Sequence, residues 1–222
     1  MILVTFALPA EGEPFVRRLH RRVRTGSSLL GELHRQQVGV VYVGLGLKRR
    51  DVLERYLERW RPQLVICSGF AGSLRSLVWP GDFVVARNFS TVDPAQPYLD
   101  QADAAGDFRE VHTVASVAAK AEWASRSSLL AVDMESAGVS RICTEFRVPV
   151  LVARMISDGV DQDIPGLLLG RAPQRPRELV DAVWFAGRML LLRPRLAERL
   201  SRLIHEFAAT TGATPATPRS RR

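Results

Sequence analysis

Short apolar runs alternate with amphipathic stretches along nearly the whole chain. Residues 2–8, 64–67, 83–87 and 149–156 are apolar runs of strand length, the pattern of parallel strands covered on both faces. Residues 15–23, 48–60, 115–127, 177–192 and 194–209 carry helical spacing, the last two separated before Pro194. Residues 32–42 read as two short strands forming a hairpin around Gln36, Gln37 and Gly39, and 111–114 as one more short strand. Residues 9–14 read as a strand-end loop, and Gly44-Leu45-Gly46 opens the helix at 48–60. Strands and helices alternate without an internal repeat, which predicts a single α/β domain over 1–209 with a mostly parallel sheet. Residues 88–109 have no period and are long enough for a functional lid, 162–176 form a Gly/Pro-rich loop, and the Thr/Pro/Ala/Arg-rich residues 210–222 are expected to be a disordered tail.

Composition narrows the partners. With 46% hydrophobic and 24% charged residues the chain reads as soluble and globular. The formal charge of +8 is spread over helix faces and the tail, with no basic stripe interleaved with aromatics, so a nucleic-acid partner is not expected. The basic residues are arginines except for Lys48 and Lys120, and Lys120 and Glu122 are expected to be exposed on the helix at 115–127. Cys67 and Cys143 lie in apolar contexts without C-x-x-C spacing, and the four histidines are far apart, so a disulfide or a metal site is not expected. No apolar run reaches the ~20 residues of a membrane span and no basic leader opens the chain, which points to the cytoplasm.

The chemistry concentrates in residues 131–161, read as strand, helix and strand with acids at both strand ends. Asp133 and Glu135 sit where strand gives way to helix, and Ser157, Asp158 and Asp161 follow the second strand. In open α/β sheets this rim is where ligands bind. Taken singly, Asp133 is an ordinary N-cap, Glu135 a first-turn acid and Ser157-Asp158-Gly159 a turn. Arg154 fits no such account, because a permanent cation inside an apolar strand requires a buried partner or a ligand. Glu11 lies at the end of the first strand, facing the same rim or serving as a helix-start acid. Ser68-Gly69-Phe70-Ala71-Gly72-Ser73 has the small residues that a close ligand or a crowded chain crossing requires. Gly44 and Gly46 form a phosphate or ribose loop, or simply a tight turn.

Four segments in order, A-L-P-A-E, V-G-L-G before a helix, S-G-F-A-G-S-L…P-G-D, and V-D-M-E followed by R-M-I-S-D-G-V-D, resemble the nucleoside phosphorylase and nucleosidase superfamily. They most resemble its methylthioadenosine/S-adenosylhomocysteine nucleosidase-like branch, over residues 1–161. The resemblance implies a three-layer α/β/α fold around a central, mostly parallel mixed sheet. It implies cleavage of the N-glycosidic bond of an adenosine-type purine nucleoside, without cofactor, in a homodimer or higher assembly. By the same resemblance Asp158 is the general acid at the base, Glu11 activates water at C1′, Glu135 accepts the ribose hydroxyls and Met134 lies under the ring. Ala71, Gly72 and Ser157 complete the substrate site. Phosphorylases of the superfamily carry G-D-P-x-R near the start and an arginine before the small-residue loop; A-L-P-A-E and V-I-C-S-G stand there instead, which favours water over phosphate as co-substrate.

This chain departs from the branch in two places. Phe70 replaces a small hydroxyl residue, so Asp158 is expected to be supported differently, and the phenylalanine that stacks on adenine is missing from 113–118, leaving Phe89, Tyr98, Phe108 or Trp123 as substitutes. The shortened middle, with V-x-x-x-A-x-K-A-E before L-A-V-D-M-E-S, looks like the hopanoid-associated phosphorylase members, proposed to act on an adenosyl group carried by a lipid. Phosphorolysis of such a compound, and a catalytically silent nucleoside-binding protein, are the alternatives.

Overall fold

Each of the apolar runs becomes a strand of one sheet. The computed structural model of the protein describes residues 1–92, 97–170, 172–173 and 175–211. The central strands are β1 (Ile2–Phe6), β4 (Gln36–Tyr42), β5 (Leu64–Ser73) and β10 (Val150–Asp158), with β1 parallel to β4 and β5, and β5 parallel to β10. Beyond β4 lie β3 (Ser28–Leu33) and β2 (His20–Thr25); beyond β10 lie β6 (Phe83–Ala86) and β7 (Ala104–Gly106), giving the order β2-β3-β4-β1-β5-β10-β6-β7. Two short strands, β8 (Phe108–Glu110) and β9 (Ala131–Asp133), stand off this path; β8 pairs with β9, and β9 with the end of β5.

The side-chain alternation of each strand fills two cores. Ile2, Val4, Leu151 and Ala153 face one side, beneath α1 (Pro9–Arg18) and α5 (Pro176–Thr211). Leu3, Val65, Val150 and Val152 face the other, beneath α2 (Arg50–Trp60) and α4 (Ser136–Glu145). The result is the expected three-layer α/β/α arrangement around a mixed sheet. The fifth helix, α3 (Val117–Arg126), is capped by the Ser116 hydroxyl, which accepts from Ala119 N–H.

Several elements differ from the pattern read along the chain. Residues 9–14 are not a loop. The helix begins at Pro9, whose fixed φ suits a first turn, and it stops at Arg18, so that His20–Thr25 pairs with β3 instead. The hairpin turn falls at His34–Arg35, both at positive φ, rather than around Gln36–Gly39. The small-residue segment 68–73 continues β5 because it is clamped by β10 on one side and, at its end, by β9 on the other. β9 runs antiparallel to β5 while β10 runs parallel to it, so 131–158 is not a plain parallel βαβ unit. Inside 88–109 lie a short 3₁₀ turn and two strands, and the strand expected at 111–114 falls at Phe108–Glu110.

Pro194 does not end a helix. Leu192, Leu196, Leu200, Leu203, Ile204 and Phe207 keep one apolar stripe in register across it, and their burial against the sheet outweighs the missing hydrogen bond. The tail expected from residue 210 lies, from 212 on, outside the described residues. Among the described residues, no helix is long and apolar enough to cross a membrane.

Candidate active site

The carboxyl ends of β1, β5 and β10 meet at one rim, and buried charges gather there. Arg154 is central. Its side chain is 1% exposed, and Nη2 lies 2.5 Å from Asp133 Oδ2 and 3.5 Å from Glu135 Oε2. Nη1 donates to the Ser68 carbonyl at 2.8 Å, and Nε to the Ser136 hydroxyl at 3.3 Å. The cation required by the sequence thus has buried carboxylate partners, which push its pKa further up against burial, the largest influence, which lowers it. Ser136 also donates both its N–H and its hydroxyl to Asp133, which fixes the start of α4. Cys67, beside Arg154, is pushed up to about 11 by burial and stays a thiol near neutrality.

Glu11 reaches the rim from the first turn of α1. Both readings of it hold: Oε2 accepts the N–H groups of Ala7 and Leu8 at 3.1 and 3.2 Å, closing the helix start, while the carboxylate lies in the field of Arg154 and Glu135. Its second oxygen accepts no hydrogen bond among the described residues. Burial pushes the Glu11 pKa above the ordinary carboxylate value, opposed by Arg154 and the two backbone donors.

Glu135 is 5% exposed. Its Oε1 accepts from Gly46 N–H at 2.9 Å, and burial raises its pKa while Arg154 and Gly46 hold it down. A Cβ on Gly46 would meet Met134 Cε at 3.8 Å, so the Gly44–Gly46 turn, Met134 and Glu135 form one corner. Gly44 and Gly46 have φ of 75° and 60°, the left-handed region that brings the Gly46 N–H onto the carboxylate. The turn is thereby engaged by a side chain of this chain.

Asp158 closes the other end. It is 3% exposed, Oδ1 accepts from the Ser157 hydroxyl at 2.5 Å, and Oδ2 lies 2.8 Å from Lys120 Nζ. Ser157 also sits 3.3 Å from the Ala71 carbonyl. Asp161 is exposed, with its Oδ1 beside Gly159. Lys120 corrects the sequence reading: it is 0% exposed, not a surface lysine. Lysine is solvated by default, and only a partner 38 residues onward reverses that. One signal was present: a lysine among alanines in a chain that otherwise uses arginine almost throughout. The hydrogen-bond partners of Asp158 are thus Lys120 and Ser157, while Phe70 is half-buried against the core.

The two glycines of the small-residue strand are explained by these side chains. A Cβ on Gly69 would lie 2.7 Å from Arg154 Nη1 and 3.3 Å from Glu11 Oε2; one on Gly72 would lie 2.9 Å from Asp158 Oδ2. Three residues along a strand span about 10 Å, so Glu11 and Asp158 meet β5 at different points along its length. Gly69 also has φ of 136°. A Gly69→Ala variant is expected to lose about 1–3 kcal/mol in urea unfolding through backbone strain and displacement of the guanidinium.

Of the aromatic candidates for base stacking, Phe108 is core at 1% exposure, Phe89 packs beside it, and Trp123 lies under the Arg109 guanidinium at 4.4 Å. The side chain of Tyr98 lies outside the described residues. A cavity of about 1490 Å³ is not lined by Glu11, Glu135 or Asp158. It opens beside the Asp158 end, between residues 161–166 and the first half of α5, where Val183, Trp184 and Leu191 are exposed. Among the described residues, no cluster of three or more His, Cys, Asp or Glu side chains could hold a metal.

The chain is similar to several known proteins. It is 21% identical over 184 residues to a 5'-methylthioadenosine/S-adenosylhomocysteine nucleosidase of Buchnera aphidicola, covering 65% of this chain and 77% of that one. The structure of the Streptococcus pneumoniae 5'-methylthioadenosine/S-adenosylhomocysteine nucleosidase with a transition-state inhibitor superposes with a TM-score of 0.71 at 18% identity, covering 93% of this chain and 99% of that one. Futalosine hydrolase of Helicobacter pylori superposes with a TM-score of 0.67 at 20% identity, covering 92% and 97%. At these identities the structural likeness is one of fold. The sequence itself matches the phosphorylase superfamily model over residues 2–125 and 96–183, well beyond half its length, and the chain belongs to that superfamily.

Proposed function

We propose that the protein is a nucleosidase that hydrolyses the N-glycosidic bond of an adenosine-type purine nucleoside. The observation that carries this reading is the pair of carboxylates over β5, Glu11 at Gly69 and Asp158 at Gly72, with Glu135 beside Arg154. Cleavage of a ribosidic bond is dissociative: the sugar becomes cationic and the base leaves with negative charge. Asp158 supplies the proton to the base, a contribution of about 10²–10⁴ in rate. Glu135 accepts the ribose hydroxyls with its Arg154-steadied carboxylate, and Met134 lies under the sugar, so that the ring is oriented before reaction. Glu11, its helix-closing bonds confined to Oε2, uses the other oxygen to take a proton from the attacking water, the division of labour of inverting glycosidases. Ala71, Gly72 and Ser157 form the floor at the base.

Water is favoured over phosphate because both buried cations of the site are committed, Arg154 to Asp133, Glu135, Ser136 and the Ser68 carbonyl, and Lys120 to Asp158 and the Gly159 and Gln162 carbonyls. An oxyanion needs bidentate donors that Arg154 does not present. Release of free base from methylthioadenosine, S-adenosylhomocysteine, futalosine and inosine, with and without phosphate, tests the reading. The free sugar, still carrying any 5′ substituent, is expected as product at a rate independent of phosphate; the corresponding sugar 1-phosphate appearing only with phosphate would reverse it to phosphorolysis, and binding of adenine without turnover would make the protein a sensor.

One observation favours a second substrate. The apolar groove beside the Asp158 end, with exposed Val183, Trp184, Leu190 and Leu191, suits an adenosyl compound with a bulky greasy substituent. An adenosyl lipid added to the same panel, cleaved with a lower KM than methylthioadenosine, supports it; no cleavage removes it. The superfamily's frequent homo-oligomers make the same face a candidate for a second copy of the chain, which sedimentation would detect.

A further inference from the structure

Lys120 reaches the acid end of the site from the middle of α3. Its Nζ donates to Asp158 Oδ2, to the Gly159 carbonyl and to the Gln162 carbonyl. Three acceptors match the three hydrogens of an ammonium. The groups around it are few. Asp163 accepts from Val117 N–H at the start of α3, Arg188 on α5 donates to the Gln162 side chain, and Glu122 and Asp161 are exposed. The ammonium is therefore paired with Asp158 alone among the described carboxylates. Both Asp158 oxygens accept, one from Ser157 and one from Lys120, so the resting pair is an ammonium against a carboxylate. A carboxylate in that state has no proton to give a departing base. The nearest one is on Lys120.

Resting on the hydrolase reading above, we propose that Lys120 is a positioning residue that acts through Asp158: it anchors the carboxylate to the 159–162 turn and hands it the proton the base takes up. The C1′–N bond breaks with its electron pair going to the base. The base nitrogen takes the proton from Asp158, which receives it from Lys120, leaving a neutral amine. Water bonds to C1′ and gives its proton to Glu11. Solvent reprotonates the amine and takes the proton from Glu11, so that the net change is nucleoside plus water to ribose plus base. The Gly159 and Gln162 carbonyls keep the amine in place between turnovers.

A cycle of Lys120→Met, Asp158→Asn and the double variant, assayed on the nucleoside that the wild type cleaves fastest, decides the matter. Each single variant is expected to lower kcat by about 10²-fold or more with KM changed only a few-fold, the loss a missing general acid causes. Because Lys120 works only through Asp158, the double variant is expected to stay within about threefold of Asp158→Asn. Losses that multiply, or a Lys120→Met variant at wild-type rate, overturn the proposal. If Lys120→Met does not fold with Asp158 left unpaired, the double variant restores charge balance, and its comparison with Asp158→Asn still decides. Lys120→Arg keeps the charge but does not release a proton, so its recovery of the wild-type rate overturns proton supply. A wild type that cleaves no nucleoside sinks the hydrolase reading and this inference with it; an active wild type with multiplicative losses sinks the inference alone.

Discussion

A Glu11→Gln variant keeps the fold and loses about 10²–10⁴ in kcat, the contribution of a positioned base. The two halves of this result come from the two oxygens of one side chain. Oε2 closes α1 by accepting from Ala7 and Leu8, and the amide oxygen of glutamine takes over that task. The second oxygen, replaced by an NH₂ group, no longer accepts a proton from water. The same site predicts the pH dependence of the wild type. Burial, opposed by Arg154, raises the Glu11 pKa above 4.5, and the base works only when ionised. The rate therefore falls as pH falls through that raised value, placing the acid limb of kcat/KM above 4.5. Stability runs the other way. A carboxyl that binds its proton more tightly in the fold stabilises it most below its unfolded pKa, and that contribution is lost as pH rises through the folded value. At neutral pH the uncharged glutamine avoids this loss, so the melting temperature of Glu11→Gln is expected to equal or exceed that of the wild type. A variant that melts lower and retains activity would place the role of Glu11 in structure alone.

Much of this site was written in local pattern. Glu135 and Asp158 stood out because buried strands run straight into acids, and Arg154 because a cation in an apolar strand demands a partner. The strands β1, β6 and β10 were plain for the same reason: their apolar runs are long for a loop and short for a helix. What failed was whatever depended on distant contacts. Pro194 reads as a stop in any window around it, and only the stripe from Leu192 to Phe207 lying on the sheet overrides it. Residues 68–73 have poor strand propensity and are extended because β10 and β9 hold them. The burial of Lys120 depends on Asp158, Gly159 and Gln162 folding around it, contacts at which a lone lysine among alanines only hints. The glycines at 69 and 72 were read as room for a ligand's approach or for a crowded chain crossing. They are room for Arg154, Glu11 and Asp158.

Replacing Arg154 with Met is expected to destabilise the protein by about 3–5 kcal/mol in urea unfolding and to abolish turnover even where it remains folded. Methionine fills much of the volume, so the loss is electrostatic. Asp133 and Glu135, 5% exposed each, are left as adjacent buried carboxylates with no cation, and Asp133 Oδ1 already lacks a hydrogen-bond partner. One of the two must then take up a proton for the fold to survive. The fold of the variant therefore recovers stability as pH falls, the reverse of a protein whose carboxylates are paired, and the difference from wild type is expected to narrow between neutrality and pH ~5. Turnover does not return with it, because a protonated Glu135 no longer offers the ribose hydroxyls a charged acceptor. The double variant Arg154→Met/Asp133→Asn separates the two effects. Removing one of the stranded carboxylates is expected to restore part of the stability at neutral pH and none of the activity. If the double variant were no more stable than Arg154→Met, the cost would lie in packing against Ser68 and Ser136 rather than in unpaired charge.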